Sequence, residues 1–132
     1  MSTRVVGAAL IRGDRVLAAR RTRPPSIAGR WEFPGGKVET GESDQDALMR
    51  ELREELSIEV QVLESLGRVP LGDDGELTVH RCQLTGGMPQ AGSDHDRVRW
   101  LSASELSSVD WLDSDRLLLD TVREALLGEA RP

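Results

Sequence analysis

Glu51, Glu54 and Glu55 stand at i, i+3 and i+4, so a helix carries all three carboxylates on one face. Like charges at that spacing repel, each pair by roughly 0.2–0.5 kcal/mol. A helix built only for stability would alternate signs, so the trio implies a multivalent cation. Carboxylate oxygens are hard donors suited to Mg2+ or Mn2+. Several on one rigid face can hold such ions against the phosphate oxygens of a substrate. Cleavage of a metal-bound phosphate then needs water in line, a base for that water, and neutralisation of the leaving group's charge. Immediately upstream is the glycine pair Gly35-Gly36, a turn whose backbone carbonyls can reach the same ions.

The elements that must position these groups follow from the pattern. Ser43–Leu56 reads as a helix, with Ser43 as N-cap and Asp46 at the third helical position. Leu48, Leu52 and Leu56 form its apolar stripe, and the acids fall on the adjoining face, with Arg50 four residues before Glu54. Upstream, Arg4–Ile11 and Arg15–Arg21 read as a hairpin around Gly13-Asp14, the first strand apolar enough to be buried on both faces. Trp31–Pro34 is a short strand, and Gly35-Gly36 after it predicts backbone geometry that other residues resist. Downstream, Glu59–Val69, Leu77–Leu84 and Val98–Leu101 read as strands, Ser102–Leu106 as a helical turn, and Ser114–Leu127 as a second amphipathic helix ended by Gly128. Strands between two helices predict an α/β fold with a mixed sheet between helical layers.

Thr22–Arg30 is a proline-broken loop in a region rich in arginine. Arg20 ends a strand where the loop begins, a position suited to contact with phosphate. Arg21, Arg23 and Arg30 fit a charge-balancing role equally well. Glu32 and Phe33 lead into the glycine turn and are expected to border a base pocket. Trp31, Trp100 and Trp111 are expected in the core or its walls. His80 and His95 lack partners at metal spacing, so no zinc site is expected. Lys37 follows a glycine but Val38 follows it, which excludes a P-loop.

Across 132 residues the formal net charge is −6, with 38% hydrophobic and 30% charged residues. That suits one soluble domain, 1–132. The acidic balance argues against a nucleic-acid polymer, whose backbone is held by many Lys and Arg contacts, but not against a single nucleotide held through metal. Cys82 is the lone cysteine, so no internal disulfide forms and a reducing cytoplasm is expected. The sequence contains neither an apolar run long enough for a membrane span nor the form of a signal peptide.

The run Gly36-x5-Glu42-x7-Arg50-Glu51-Leu52-x-Glu54-Glu55-x-Ser57-Ile58 resembles the signature of the Nudix hydrolases, G-x5-E-x7-R-E-U-x-E-E-x-G-U, where U is aliphatic. Every fixed position agrees except Ser57, which replaces glycine. Trp31–Lys37, WEFPGGK, is similar to the MutT branch. The resemblance implies an α/β/α sandwich that hydrolyses a nucleoside triphosphate to monophosphate and pyrophosphate with Mg2+ or Mn2+, acting as monomer or homodimer. The expected substrates are 8-oxo-dGTP, (d)CTP and 5-methyl-dCTP. It implies Glu51, Glu54, Glu55 and the Gly35 carbonyl as metal ligands, joined by Asp94. Glu51 or Glu54 would be the general base. Arg50 would hold the helix acids, and Gly36 and Glu42 would support the loop and helix. Arg20 matches a phosphate-contacting arginine, and Asp115 a base-reading position. An ionised aspartate only accepts, which favours the exocyclic amino group of cytosine. Two other readings share the fold: an ADP-ribose or other nucleoside-diphosphate hydrolase, and a non-catalytic nucleotide-recognition module.

Overall fold

The computed structural model describes residues 3–130. Strand β1 (Thr3–Arg12) is the organising element. It pairs with β2 (Arg15–Arg21) and with β4 (Gly35–Lys37), both antiparallel, and with β6 (Gly75–Gly86) in parallel. Strand β5 (Glu59–Leu71) pairs antiparallel with β6, while β3 (Trp31–Glu32) and β7 (His95–Ser102) both pair with β2. The sheet is therefore mixed, as expected.

Its two faces are covered by separate apolar clusters. Val6, Ala8 and Leu10 of β1 pack with Leu48, Leu52 and Leu56 of helix α1 (Asp44–Leu56). The alternate residues Ala9 and Ile11 face Trp111, Leu119, Val122 and Leu126 on the other side. Side chains alternate across a strand, so an apolar run in β1 serves both layers. The result is helix, sheet, helix.

Helix α1 begins where expected. Ser43 Oγ accepts the Asp46 amide at 3.1 Å, an N-cap that satisfies one orphan donor. The C-terminal helix differs from expectation. It is a single turn, α2 (Asp113–Arg116), then α3 (Leu119–Ala130), and Gly128 lies inside α3. The Leu117 amide reaches back to Ser114 O at 3.3 Å and the Leu118 amide to Asp115 O at 3.0 Å. These i to i−3 bonds tighten the chain and reorient it between the two pieces. Among the described residues no helix is long and apolar enough to cross a membrane.

Candidate active site

The glycine pair is needed for reasons other than the expected one. Neither Gly35 nor Gly36 has a positive φ; both belong to β4. A Cβ on Gly35 would lie 1.9 Å from Val6 O, and one on Gly36 would lie 2.4 Å from Glu51 Cδ. Close approach, not turn geometry, excludes side chains here. The carboxylate of Glu51 packs directly against the backbone of β4 at Gly36.

Arg50 ties this corner together. Its Nε donates to Glu42 Oε2 at 2.7 Å and its Nη2 to Glu42 Oε1 at 2.9 Å and to Lys37 O at 3.0 Å. Its Nη1 donates to Glu51 Oε1 at 2.9 Å and lies 3.5 Å from Glu54 Oε2. Glu42 also accepts the Glu39 amide at 2.9 Å. The Arg50 guanidinium, followed by that amide, holds the Glu42 carboxyl down at about 2.

Of the acidic trio, Glu54 is the most open, with 61% of its side chain exposed against 16% for Glu51. Glu55 is the opposite case. Its Oε2 is buried without a hydrogen-bond partner. Burial first, then the charges of Glu51, Glu32 and Asp94, push the Glu55 carboxyl up to about 9. An orphaned buried carboxyl oxygen within reach of the charges of Glu51, Glu32 and Asp94 fits a hard divalent cation. Among the described residues no three such side chains already stand in closed ligand geometry. For this face to hold an ion its side chains would have to adjust, and exposed Glu54 has room to do so. Asp94 lies close enough to Glu55 to act on it, and its Oδ1 accepts from Arg23 Nη2 at 2.5 Å.

Beside the acidic face is a cavity of about 170 Å³, bordered by Arg21, Glu32, Phe33, Leu112, Ser114 and Asp115. It shares Leu71, Leu112 and Ser114 with a wider apolar hollow of about 500 Å³ that reaches Ile27, Pro70 and Leu117. The inner space alone is below the roughly 300–1,000 Å³ of most ligand pockets; with the outer hollow the site reaches it. A separate hollow of about 310 Å³ between Arg12 and Arg81 holds none of the candidate residues.

Asp115 is buried, only 3% exposed. Its Oδ2 accepts the Phe33 amide at 2.8 Å and its Oδ1 the Ser114 hydroxyl at 3.1 Å. Burial outweighs both bonds and raises its carboxyl to about 7, with the nearby charge of Glu32 adding to the rise. Glu32 Oε2 lies 2.8 Å from His95 Nε2 and accepts from Arg21 Nη1 at 3.0 Å.

Arg20 is placed elsewhere. It makes a two-point pair with Asp96, at 2.7 and 2.9 Å, and does not line either part of the pocket. Arg21 lines it instead. A register shift between Arg20 and Arg21 breaks the alternation of β2, so parity along the strand does not assign either side chain. His95 and Leu112 are further residues of the site that sequence reasoning did not single out. His95 is linked to Glu32 across a long separation that no local signal reveals. Trp31 and Trp111 are core residues, and Cys82 is a buried thiol that burial raises to about 12.

Comparison with known proteins places this geometry in a family. Residues 1–121 match the NUDIX domain. The chain is 53% identical over 131 residues to the CTP pyrophosphohydrolase of Escherichia coli (strain K12), covering 97% of this chain and 95% of that protein. It is 46% identical over 132 residues to "Putative 8-oxo-dGTP diphosphatase 2" of Mycobacterium tuberculosis, covering 96% and 92%. The crystal structure of a MutT NUDIX hydrolase from Burkholderia pseudomallei superposes with a TM-score of 0.82 at 29% identity, covering 92% of this chain and 98% of that one. With the helix acids, the Arg50 clamp and the glycine-lined corner in place, the chain belongs to the Nudix hydrolases, enzymes that act on nucleotide substrates with divalent metal ions.

Proposed function

We propose that the chain is a nucleoside triphosphate pyrophosphohydrolase that cleaves 8-oxo-dGTP, (d)CTP and 5-methyl-dCTP to the monophosphate and pyrophosphate. The observation that carries this is the position of Glu32: it lines the inner cavity, yet its charge acts on Glu55 of the acidic face. A base in the cavity therefore sets its phosphate chain toward α1. The two relatives named for CTP and 8-oxo-dGTP support the choice of substrates.

Glu51, Glu54, Glu55, Asp94 and the Gly35 carbonyl would hold Mg2+, with Mn2+ as a substitute. The ions would neutralise the phosphates and lower the pKa of an attacking water. Glu54 is the stronger candidate for general base, because it is the exposed member of the trio and Arg50 holds Glu51 more tightly. Arg50 and Glu42 keep the acids in place. Gly36 leaves Glu51 room against β4. Arg21 stands at the cavity, where its guanidinium can meet the nucleotide; Arg20 can do so only by leaving Asp96.

Phe33 and Leu112 supply apolar wall for the base. Asp115, with its carboxyl near 7, is present in both protonation states at neutral pH. Ionised, it accepts from the exocyclic amino group of cytosine; protonated, it donates to a carbonyl such as that of oxidised guanine. One residue thereby serves two bases. In this reading 1–132 is one catalytic domain working in the cytoplasm on free nucleotides, as monomer or homodimer, with no membrane or nucleic-acid polymer as partner.

The test is a substrate panel with Mg2+: dCTP, 5-methyl-dCTP, CTP, 8-oxo-dGTP, dGTP and ADP-ribose, scored as kcat/KM. The reading expects the cytosine nucleotides and 8-oxo-dGTP to lead. Preference for ADP-ribose would assign the nucleoside-diphosphate alternative, and no turnover would assign a recognition module. Asp115→Asn separates base reading from a structural role: the ratio of dCTP to 8-oxo-dGTP rates changes if Asp115 reads the base.

A further inference from the structure

We propose that His95 is a positioning residue for base recognition: it fixes the Glu32 carboxylate in the cavity without itself touching the nucleotide. The proposal rests on the reading that the cavity takes the base. His95 is 1% exposed, and its side chain is fully covered. A polar ring buried at the start of a strand needs hydrogen-bond partners to account for it. Its Nε2 lies 2.8 Å from Glu32 Oε2, and its Nδ1 is buried with no partner. An imidazole that donates through Nε2–H leaves only a lone pair at Nδ1, a smaller penalty than a buried unpaired N–H. The geometry thus favours the Nε2–H form, with that single bond directed at Glu32.

Arg21 Nη1 donates to the same oxygen at 3.0 Å. Both donors converge on Oε2, so among the described residues Glu32 Oε1 receives no hydrogen bond. The carboxylate is clamped by one oxygen, and Glu32 borders the cavity. Arg21 shares the clamp from the end of its long side chain, whose Nε also bonds Arg23 O at 2.9 Å. The rigid imidazole, locked in the strand, sets the carboxylate plane. Among the described residues Asp115, which also borders the cavity, has no cationic partner; its bonds come from an amide and a hydroxyl. The two acids are therefore held differently: Glu32 by a guanidinium and an imidazole, Asp115 by an amide and a hydroxyl.

The experiment uses His95→Leu, His95→Gln and Glu32→Ala in the full chain. KM, kcat, the midpoint of Mg2+ activation and the ratio of kcat/KM between dCTP and dTTP are read for each. His95→Leu is expected to raise the KM for dCTP about tenfold, with a smaller change in kcat, and to flatten the ratio. Gln places an amide N–H near the position of Nε2, so His95→Gln should recover most of both. In Glu32→Ala, adding His95→Leu should cost nothing further, because the two act through one bond. A His95→Leu variant with unchanged KM and ratio, while Glu32→Ala flattens the ratio, overturns the proposal alone. An unchanged ratio in Glu32→Ala removes the base-site reading and the proposal with it. A shifted Mg2+ midpoint with KM unaffected assigns the effect to neighbouring Asp94 and also overturns it. If His95→Leu does not fold, His95→Asn replaces it: its shorter amide falls short of Glu32 and should behave as a loss. Asn and Gln behaving alike contradicts the proposal.

Discussion

Arg50 grips Glu42 at two points, Nε to Oε2 at 2.7 Å and Nη2 to Oε1 at 2.9 Å, while its remaining nitrogen holds Glu51. One planar cation thus joins the loop before α1 to the acid packed on Gly36. Lysine keeps the charge but cannot form the fork. Arg50→Lys is expected to lower kcat by about 10–100-fold, the usual effect of losing a residue that orients metal ligands. Circular dichroism should show the fold intact, and weaker Mg2+ activation should accompany the loss.

Glu54 is exposed and only loosely approached by Arg50 at 3.5 Å. Replacing it with glutamine keeps size and polarity. Kinetics of Glu54→Gln should show kcat reduced about 10²–10⁴-fold, the range for removal of a general base, with KM nearly constant. A full-rate variant would move the base to Glu51.

Glu55 and Asp115 both have folded pKa values above their ordinary ones, about 9 against 4.5 and about 7 against 3.8. A carboxyl that binds its proton more tightly when folded favours folding at low pH, and that advantage is lost as pH rises through the folded value. Glu42 has the opposite sign, but its pKa is lowered to about 2, so it acts only in acid. The metal-free protein should therefore lose stability between about pH 5 and 9. Urea unfolding at pH 5.5 and 8.5 measures this, and excess Mg2+ should restore more stability at the higher pH. Calorimetry in two buffers should record proton release on Mg2+ binding.

Ser57 occupies the left-handed region at φ 61°, ψ 38°. Its amide bonds Arg53 O at 3.2 Å, the single bond of an αL cap, and the Ile58 amide approaches Leu52 O at 3.4 Å. That conformation costs a non-glycine residue roughly 1–2 kcal/mol. Ser57→Gly should stabilise the fold by about 1 kcal/mol, seen as a Tm increase of roughly 3–5 °C, with kcat unchanged because no ligand is altered.

The sequence made α1 legible because its determinants are local: a serine cap, leucines four apart and acids at i, i+3 and i+4. The two faces of β1 were legible from its apolar run. Other features depended on partners distant in the chain. The glycine pair looked like a turn device, but its requirement comes from Val6 and Glu51 pressing against it. The break between α2 and α3 accompanies the burial of Asp115 against the Phe33 amide, which no helical periodicity encodes. The expectation singled out Arg20 over Arg21, yet Arg21 lines the cavity, and the irregularity between them resets the strand's alternation.

The central claim is that the face formed by Glu51, Glu54 and Glu55 supports cleavage of a nucleoside triphosphate beside a base-binding cavity. Phosphorus NMR of dCTP and 8-oxo-dGTP incubated with the protein and Mg2+ tests it most directly, since it identifies the bond broken. The account predicts monophosphate and pyrophosphate in equal amounts, abolished by chelator and by joint replacement of the three glutamates with glutamine. Nucleoside diphosphate and inorganic phosphate as the products, or undiminished turnover by the triple variant, would contradict it.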